Sequence, residues 1–84
     1  MKLKQIASNM TEIEFNQAVS PPYYVLFSYS TPVAGRSDVG VFKTANKYSA
    51  TTTKHINKYF REEWGIDPLS VDEVDQAYID GLVK

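Results

Sequence analysis

YYVLFSY, at residues 23–29, combines aromatic, aliphatic and β-branched side chains and is apolar on both faces. A short run of this kind predicts a strand buried at the centre of a sheet. Pro21 and Pro22 stand just before it and cannot donate ladder hydrogen bonds, so they belong to a connecting loop. We therefore expect the rest of the chain to pack around this strand, with its aromatic side chains in the core.

The segment TEIEF, at residues 11–15, shows the alternation of a half-exposed strand. Ile13 and Phe15 would lie on one face, and Glu12 and Glu14 on the other, solvent-facing one. Weaker strand signals precede and follow it. They are KLKQIAS at residues 2–8, and the pair VAG and VFKT, which would form a hairpin around Arg36-Ser37-Asp38.

Helical periodicity begins near residue 50. One apolar stripe has spacings of three and four, formed by Thr52, Ile56, Tyr59, Phe60 and Trp64. Ser49 or Thr51 is placed to cap the helix, because a hydroxyl there can accept a hydrogen bond from an amide two or three residues on. Gly65 and then Pro68 stop it. The sequence predicts a helix over about residues 50–64.

A second helix is predicted over about residues 71–82. The tetrapeptide SVDE has the form of a capping box, in which Ser70 and Glu73 exchange side chain to backbone hydrogen bonds. The expected buried stripe is Val71, Val74, Tyr78 and Leu82.

Together these signals predict an α+β fold: an antiparallel sheet of four or five strands over about residues 2–46, followed by two C-terminal helices packed on one face. A length of 84 residues with 43% apolar content fits one domain, residues 1–84.

Cysteine is absent, which excludes disulfides, thiolate metal sites and cysteine nucleophiles. Since no signal peptide or membrane span is recognisable, we expect a cytoplasmic protein without a membrane partner.

Charge is segregated along the chain. Residues 39–61 contain five basic residues and no acidic one, whereas residues 62–84 contain seven acidic residues and one lysine. We expect the two regions to form neighbouring helices, with the acidic one screening the basic one within one molecule or across a two-fold axis in a dimer.

The runs VLFSYSTPVA and FKTANKYSATTTKHINKYF carry a further pattern: Tyr-x-Thr-Pro-Val-Ala, a turn, then Thr-x-x-Lys-aromatic-Ser-x-Thr-Thr-x-x-His-Ile-Asn. This pattern resembles a family of small uncharacterised proteins of tailed bacteriophages and prophages. The resemblance covers roughly residues 2–60 and implies a bacteriophage setting, with the host-cell cytoplasm as location, but no established activity. The matching positions are Tyr29, Thr31, Pro32, Val33, Ala34, Thr44, Lys47, Tyr48, Ser49, Thr51, Thr52, His55, Ile56 and Asn57.

His55 is the only histidine, and it lies in a polar cluster formed by Ser49, Thr51, Thr52, His55 and Asn57. A hydroxyl beside an imidazole can act as a nucleophile and its base, but the sequence has no Gly-x-Ser-x-Gly elbow to support that chemistry. An imidazole beside an apolar stripe more commonly makes a structural hydrogen bond. We expect a structural cluster, no catalytic residue, no metal site and no cofactor.

The strongest candidate binding face is basic and consists of Lys47, Lys54, Lys58 and Arg61. It favours weak nucleic-acid binding through phosphates. A helix-turn-helix arrangement is unfavourable, because the second helix carries acidic residues that phosphates would repel. The leading expectation is a non-enzymatic accessory protein that binds a host or phage protein. Nucleic-acid binding through the first helix is the alternative, and a homodimer is left open.

Overall fold

The computed structural model describes residues 2–16, 21–38 and 40–83. It confirms the α+β class, with six strands rather than four or five. The strands are Lys2–Ala7 (β1), Met10–Phe15 (β2), Tyr23–Ser28 (β3), Thr31–Ser37 (β4), Gly40–Thr44 (β5) and Asp72–Val74 (β6). The helices are Ala50–Lys58 (α1) and Gln76–Leu82 (α2).

The six strands form one sheet in the order β1-β2-β3-β4-β5-β6. The first five make an antiparallel meander, and β6 then pairs parallel with β5 after the crossover through α1. The predicted central strand is confirmed, since Leu26 of β3 pairs with Glu12 of β2 on one side and with Ala34 of β4 on the other. Leu26 and its neighbour Val25 are completely buried.

The helices cover opposite faces of the sheet, so the prediction that both pack on one face is wrong. Leu26 belongs to a core with Ile56, Tyr59 and Phe60, on what we call the α1 face. Val25, the adjacent residue, belongs to a second core with Phe42 and with Ile79 of α2, on the α2 face. Adjacent strand residues point to opposite faces, so a strand apolar on both sides needs a cover on each. The chain changes face by running along the sheet edge as β6.

The first predicted helix is confirmed, although its last residues form a π-helix rather than an α-helix. A π-helical segment, Tyr59–Glu63, continues α1 without a break. The hydroxyl of Ser49 accepts a hydrogen bond from the Thr52 amide at 3.2 Å, whereas the exposed Thr51 does not cap the helix. Gly65 follows the last turn with φ of +64°, the left-handed conformation that ends many helices.

The second predicted helix begins too early. Asp72–Val74 form β6, and α2 starts only at Gln76, after Asp75. Ser70 makes no capping box; its hydroxyl donates to the carbonyl of Asp67 at 2.8 Å. Pairing with β5 satisfies the backbone of β6 and outweighs the local helix signal.

The buried side of α2 also differs from the predicted stripe. Ile79 is fully buried, whereas Tyr78 is 46% exposed. Because the helix starts later and packs on the other face of the sheet, it turns a different side towards the core. None of the described helices is long and apolar enough to cross a membrane.

Candidate functional site

A buried serine connects the helix to the sheet. Ser28 is 2% exposed, and its Oγ lies 2.8 Å from Nδ1 of His55 and 3.2 Å from Oγ1 of Thr52. The hydroxyl of Ser49 donates to Thr52 Oγ1 at 3.3 Å. These contacts form a continuous hydrogen-bonded chain from the cap of α1 to the last residue of the central strand β3.

The predicted polar cluster is therefore only partly assembled. Ser49, Thr52 and His55 meet, and Thr51 is exposed. Asn57 lines a separate small cavity of about 50 Å³ with neighbours that include Lys47 and Glu73. Sequence reasoning missed Ser28, although its alternation with Leu26 in β3 places it on an inward-facing position.

The Ser28–His55 pair lacks the features of a nucleophile and its base. In the serine triad the imidazole contacts the nucleophile through Nε2 while a carboxylate binds Nδ1. Here Nδ1 faces the serine, and among the described residues no carboxylate hydrogen bonds to His55. Ser28 is also buried beneath α1, where a substrate would not reach its hydroxyl. This geometry suits a structural junction.

Tyr29 lies at the solvent side of that junction. Its backbone is left-handed, with φ of +58°, and its amide donates to the carbonyl of Asn9 at 2.7 Å. Its ring centroid lies 5.8 Å from that of His55. The side chain is 55% exposed, so its expected place in the core is wrong; it belongs to the turn that follows β3.

The basic face is solvent-exposed. Lys54, Lys58 and Arg61 project from α1 and its π-helical continuation, and Lys47 lies in the preceding loop. The described residues contain one ion pair, between Lys4 and Glu63 at 2.7 Å, and it involves none of these four. The expected screening by the acidic C-terminal helix within one molecule is wrong, because α2 packs on the opposite face of the sheet. Screening across the two-fold axis of a dimer stays a prediction.

Strand β1 forms an open edge of the sheet. Its neighbour on one side is β2, and no described strand pairs with its other side. Residues 2–5 are all exposed, and Leu3 is 70% exposed. The opposite edge strand, β6, has only three residues. Long open edges are sites where another strand can add.

A family model for proteins of unknown function, DUF8033, matches residues 1–79. The chain belongs to the DUF8033 family. Comparisons with curated proteins and with solved structures gave no significant match.

One acidic residue of this DUF8033 chain is buried, although its sequence pattern predicted that it would face solvent. Glu12 is 8% exposed and accepts a hydrogen bond from the Tyr59 hydroxyl at 2.6 Å. Burial, and then this hydrogen bond, raise the pKa of Tyr59 above its ordinary value. The alternation in β2 was predicted correctly. The face that carries Glu12, however, is covered by α1 and is not exposed to solvent as expected.

Proposed function

We propose that this DUF8033 protein is a small, non-enzymatic accessory protein of the bacteriophage type that acts by binding a host or phage protein. The resemblance of residues 2–60 to small phage and prophage proteins supports the setting, and with it the host-cell cytoplasm as the location. The closed Ser28–His55 junction supports a role without catalysis.

The observation that carries the proposal is the open β1 edge. An edge strand presents unpaired backbone N–H and C=O groups on its outer side, and an extended peptide can bind there by adding a strand. Four consecutive exposed residues, 2–5, lie on this edge. Leu3 adds apolar surface that a bound strand would cover.

The basic face supports a second candidate function, nucleic-acid binding. Lys54, Lys58 and Arg61 share the exposed side of one helix and form no ion pair with a described carboxylate. Contacts to phosphates need only such a charged face, and they weaken as the salt concentration rises.

Affinity capture from a lysate of infected bacteria separates the two candidates. We expect the protein to retain a discrete partner after nuclease treatment, and the variant Lys54→Gln/Lys58→Gln/Arg61→Gln to retain it as well. Leu3→Asp should release that partner, since a charge replaces the apolar contact on the edge. Leu69→Asp is the matched control, because Leu69 is 86% exposed and lies away from β1.

The opposite pattern would establish the second candidate. Material that nuclease removes, and that the triple glutamine variant no longer retains, would show binding through the basic face. Absence of a discrete protein in every capture would refute the proposed protein-binding function.

A further inference from the structure

The open edge carries different chemistry on its two faces. Lys2 and Lys4 lie on the α1 face, opposite Glu14 and Glu12 of β2. Leu3 lies on the α2 face, opposite Ile13. The sheet therefore pairs basic with acidic residues on one face and apolar residues on the other, and a strand added outside β1 would extend both patterns.

We infer that β1 accepts an extended segment of the partner protein in which acidic side chains alternate with apolar ones. The acidic side chains would lie opposite Lys2 and Lys4, and the apolar ones opposite Leu3. This inference rests on the proposed protein-binding function and adds the chemistry of the bound segment.

Lys2 is the more available of the two lysines, because it forms no ion pair with a described residue. Lys4 forms an ion pair with Glu63, although its side chain is 61% exposed. Glu12 accepts a hydrogen bond from the buried Tyr59 hydroxyl, so this acid is held against the core. Exposed ion pairs add little affinity, so we assign affinity to the backbone ladder and to Leu3, and selectivity to the lysines.

A second copy of this chain fits the edge less well. Two β1 strands paired antiparallel about a two-fold axis, in the register that brings Leu3 opposite Leu3, would bring Lys2 opposite Lys4. Like charges directly opposite each other destabilise a strand pair. The acidic strand β6 of another copy offers only three residues for pairing. These arguments favour a segment from a different protein.

Defined peptides test the inference on the intact protein. The probes are the capped octapeptide TEVEVEVT, its lysine counterpart TKVKVKVT, and two methylated forms of the acidic peptide. Each methylated form carries methyl groups on one of the two alternating sets of backbone nitrogens. Amide chemical shifts of the isotope-labelled protein are followed by NMR during each titration. We expect saturable amide shift changes at residues 2–5 with the acidic peptide, and at least about tenfold weaker binding of the lysine peptide. One of the two methylated peptides should cause no shift changes.

Charge reversal supplies the matched control. Lys2→Glu should remove most of the preference for the acidic peptide, because one acidic and one basic side chain then face the bound segment. Lys58→Glu makes the same change away from the edge and should leave the preference unaltered. Lys2 is chosen over Lys4 because its replacement leaves the Lys4–Glu63 ion pair intact.

Several outcomes would overturn the inference. They are unchanged amide shifts at residues 2–5, equal binding of the two peptides, and a homodimer in sedimentation that Leu3→Asp dissociates. A captured partner that Leu3→Asp releases and Lys2→Glu fully retains would overturn only the charge selectivity, leaving the proposed function in place. Failure to capture any protein partner would refute the proposed function itself.

Discussion

His55 is one of two α1 residues that contact the buried hydroxyl of Ser28 in β3. The contact joins residues 27 positions apart, and Thr52 gives the same hydroxyl a second partner. Local patterns can indicate a polar helix side, but they contain no information on which strand residue will meet it. The structural role of His55 is therefore an interpretation that its removal tests directly.

We expect His55→Ala to lower the free energy of unfolding by about 1–2 kcal/mol, because the buried Ser28 loses one of its hydrogen-bonding partners. Chemical denaturation measures the change. Lys54→Ala, at the adjacent exposed position, should stay within about 0.5 kcal/mol of the parent. Equal stability of parent and His55→Ala would contradict the structural role.

The cap of α1 can be tested in the same way. Ser49→Ala should lower the unfolding free energy by about 1 kcal/mol, since the Thr52 amide loses its acceptor. Thr51→Ala, which removes an exposed hydroxyl two residues later, should have little effect. Thermal or chemical denaturation of the two variants provides the comparison, and a larger loss from Thr51→Ala would reverse the assignment.

The raised pKa of Tyr59 makes stability depend on alkaline pH. The unfolded phenol loses its proton near pH 10, whereas the folded phenol keeps it to higher pH. Stability is therefore complete below about pH 10 and declines as the pH rises above it. We expect denaturation between about pH 8 and pH 11 to show a shallower decline for Tyr59→Phe than for the parent. Identical slopes for Tyr59→Phe and the parent would refute the assignment.

Strand β6 and helix α2 are the elements in which local sequence and final structure diverge. The run SVDE has a strong helix-start pattern, yet Asp72–Val74 pair with β5. The parallel partner, β5, lies about thirty positions earlier in the chain. The pairing therefore depends on the path of the chain through α1, which brings residues 72–74 back to the edge of the sheet.

Other elements could be predicted because their signals are local. Alternation identified β2, periodic apolar positions identified α1, and Ser49 supplied its cap. Tyr23–Ser28 is apolar on both faces, but this local pattern did not indicate that α1 and α2 would cover different faces, and the expected packing on a single face is wrong. The site was harder to predict, since Ser28, Glu12 and the open edge acquire their roles from distant elements.

Ile79 tests the placement of α2. Ile79→Ala should lower the unfolding free energy by about 2–5 kcal/mol, because a fully buried side chain is truncated in the second core. Tyr78→Ala should cost clearly less, since that ring is about half exposed. Denaturant titration of both variants compares the two sides of α2. A larger cost for Tyr78 would restore the stripe expected from the sequence.

At the scale of the whole molecule, the sheet separates two surfaces that the net charge of −1 conceals. The exposed bases of α1 lie over one face, α2 lies over the other, and β1 leaves one edge open. We therefore propose that recognition of a partner protein takes place at β1.

Site-specific photo-crosslinking can locate the surface that contacts a partner. A photoreactive amino acid replaces Leu3 in one variant and Leu69 in another, and each is irradiated in a lysate of infected bacteria. We predict a discrete, nuclease-resistant protein adduct from position 3 and none from position 69. A third variant carries the photoreactive group at Lys58, on the basic face. No adduct from position 3, together with nuclease-sensitive adducts from position 58, would contradict recognition of a protein at β1 and would indicate nucleic-acid binding through the basic face.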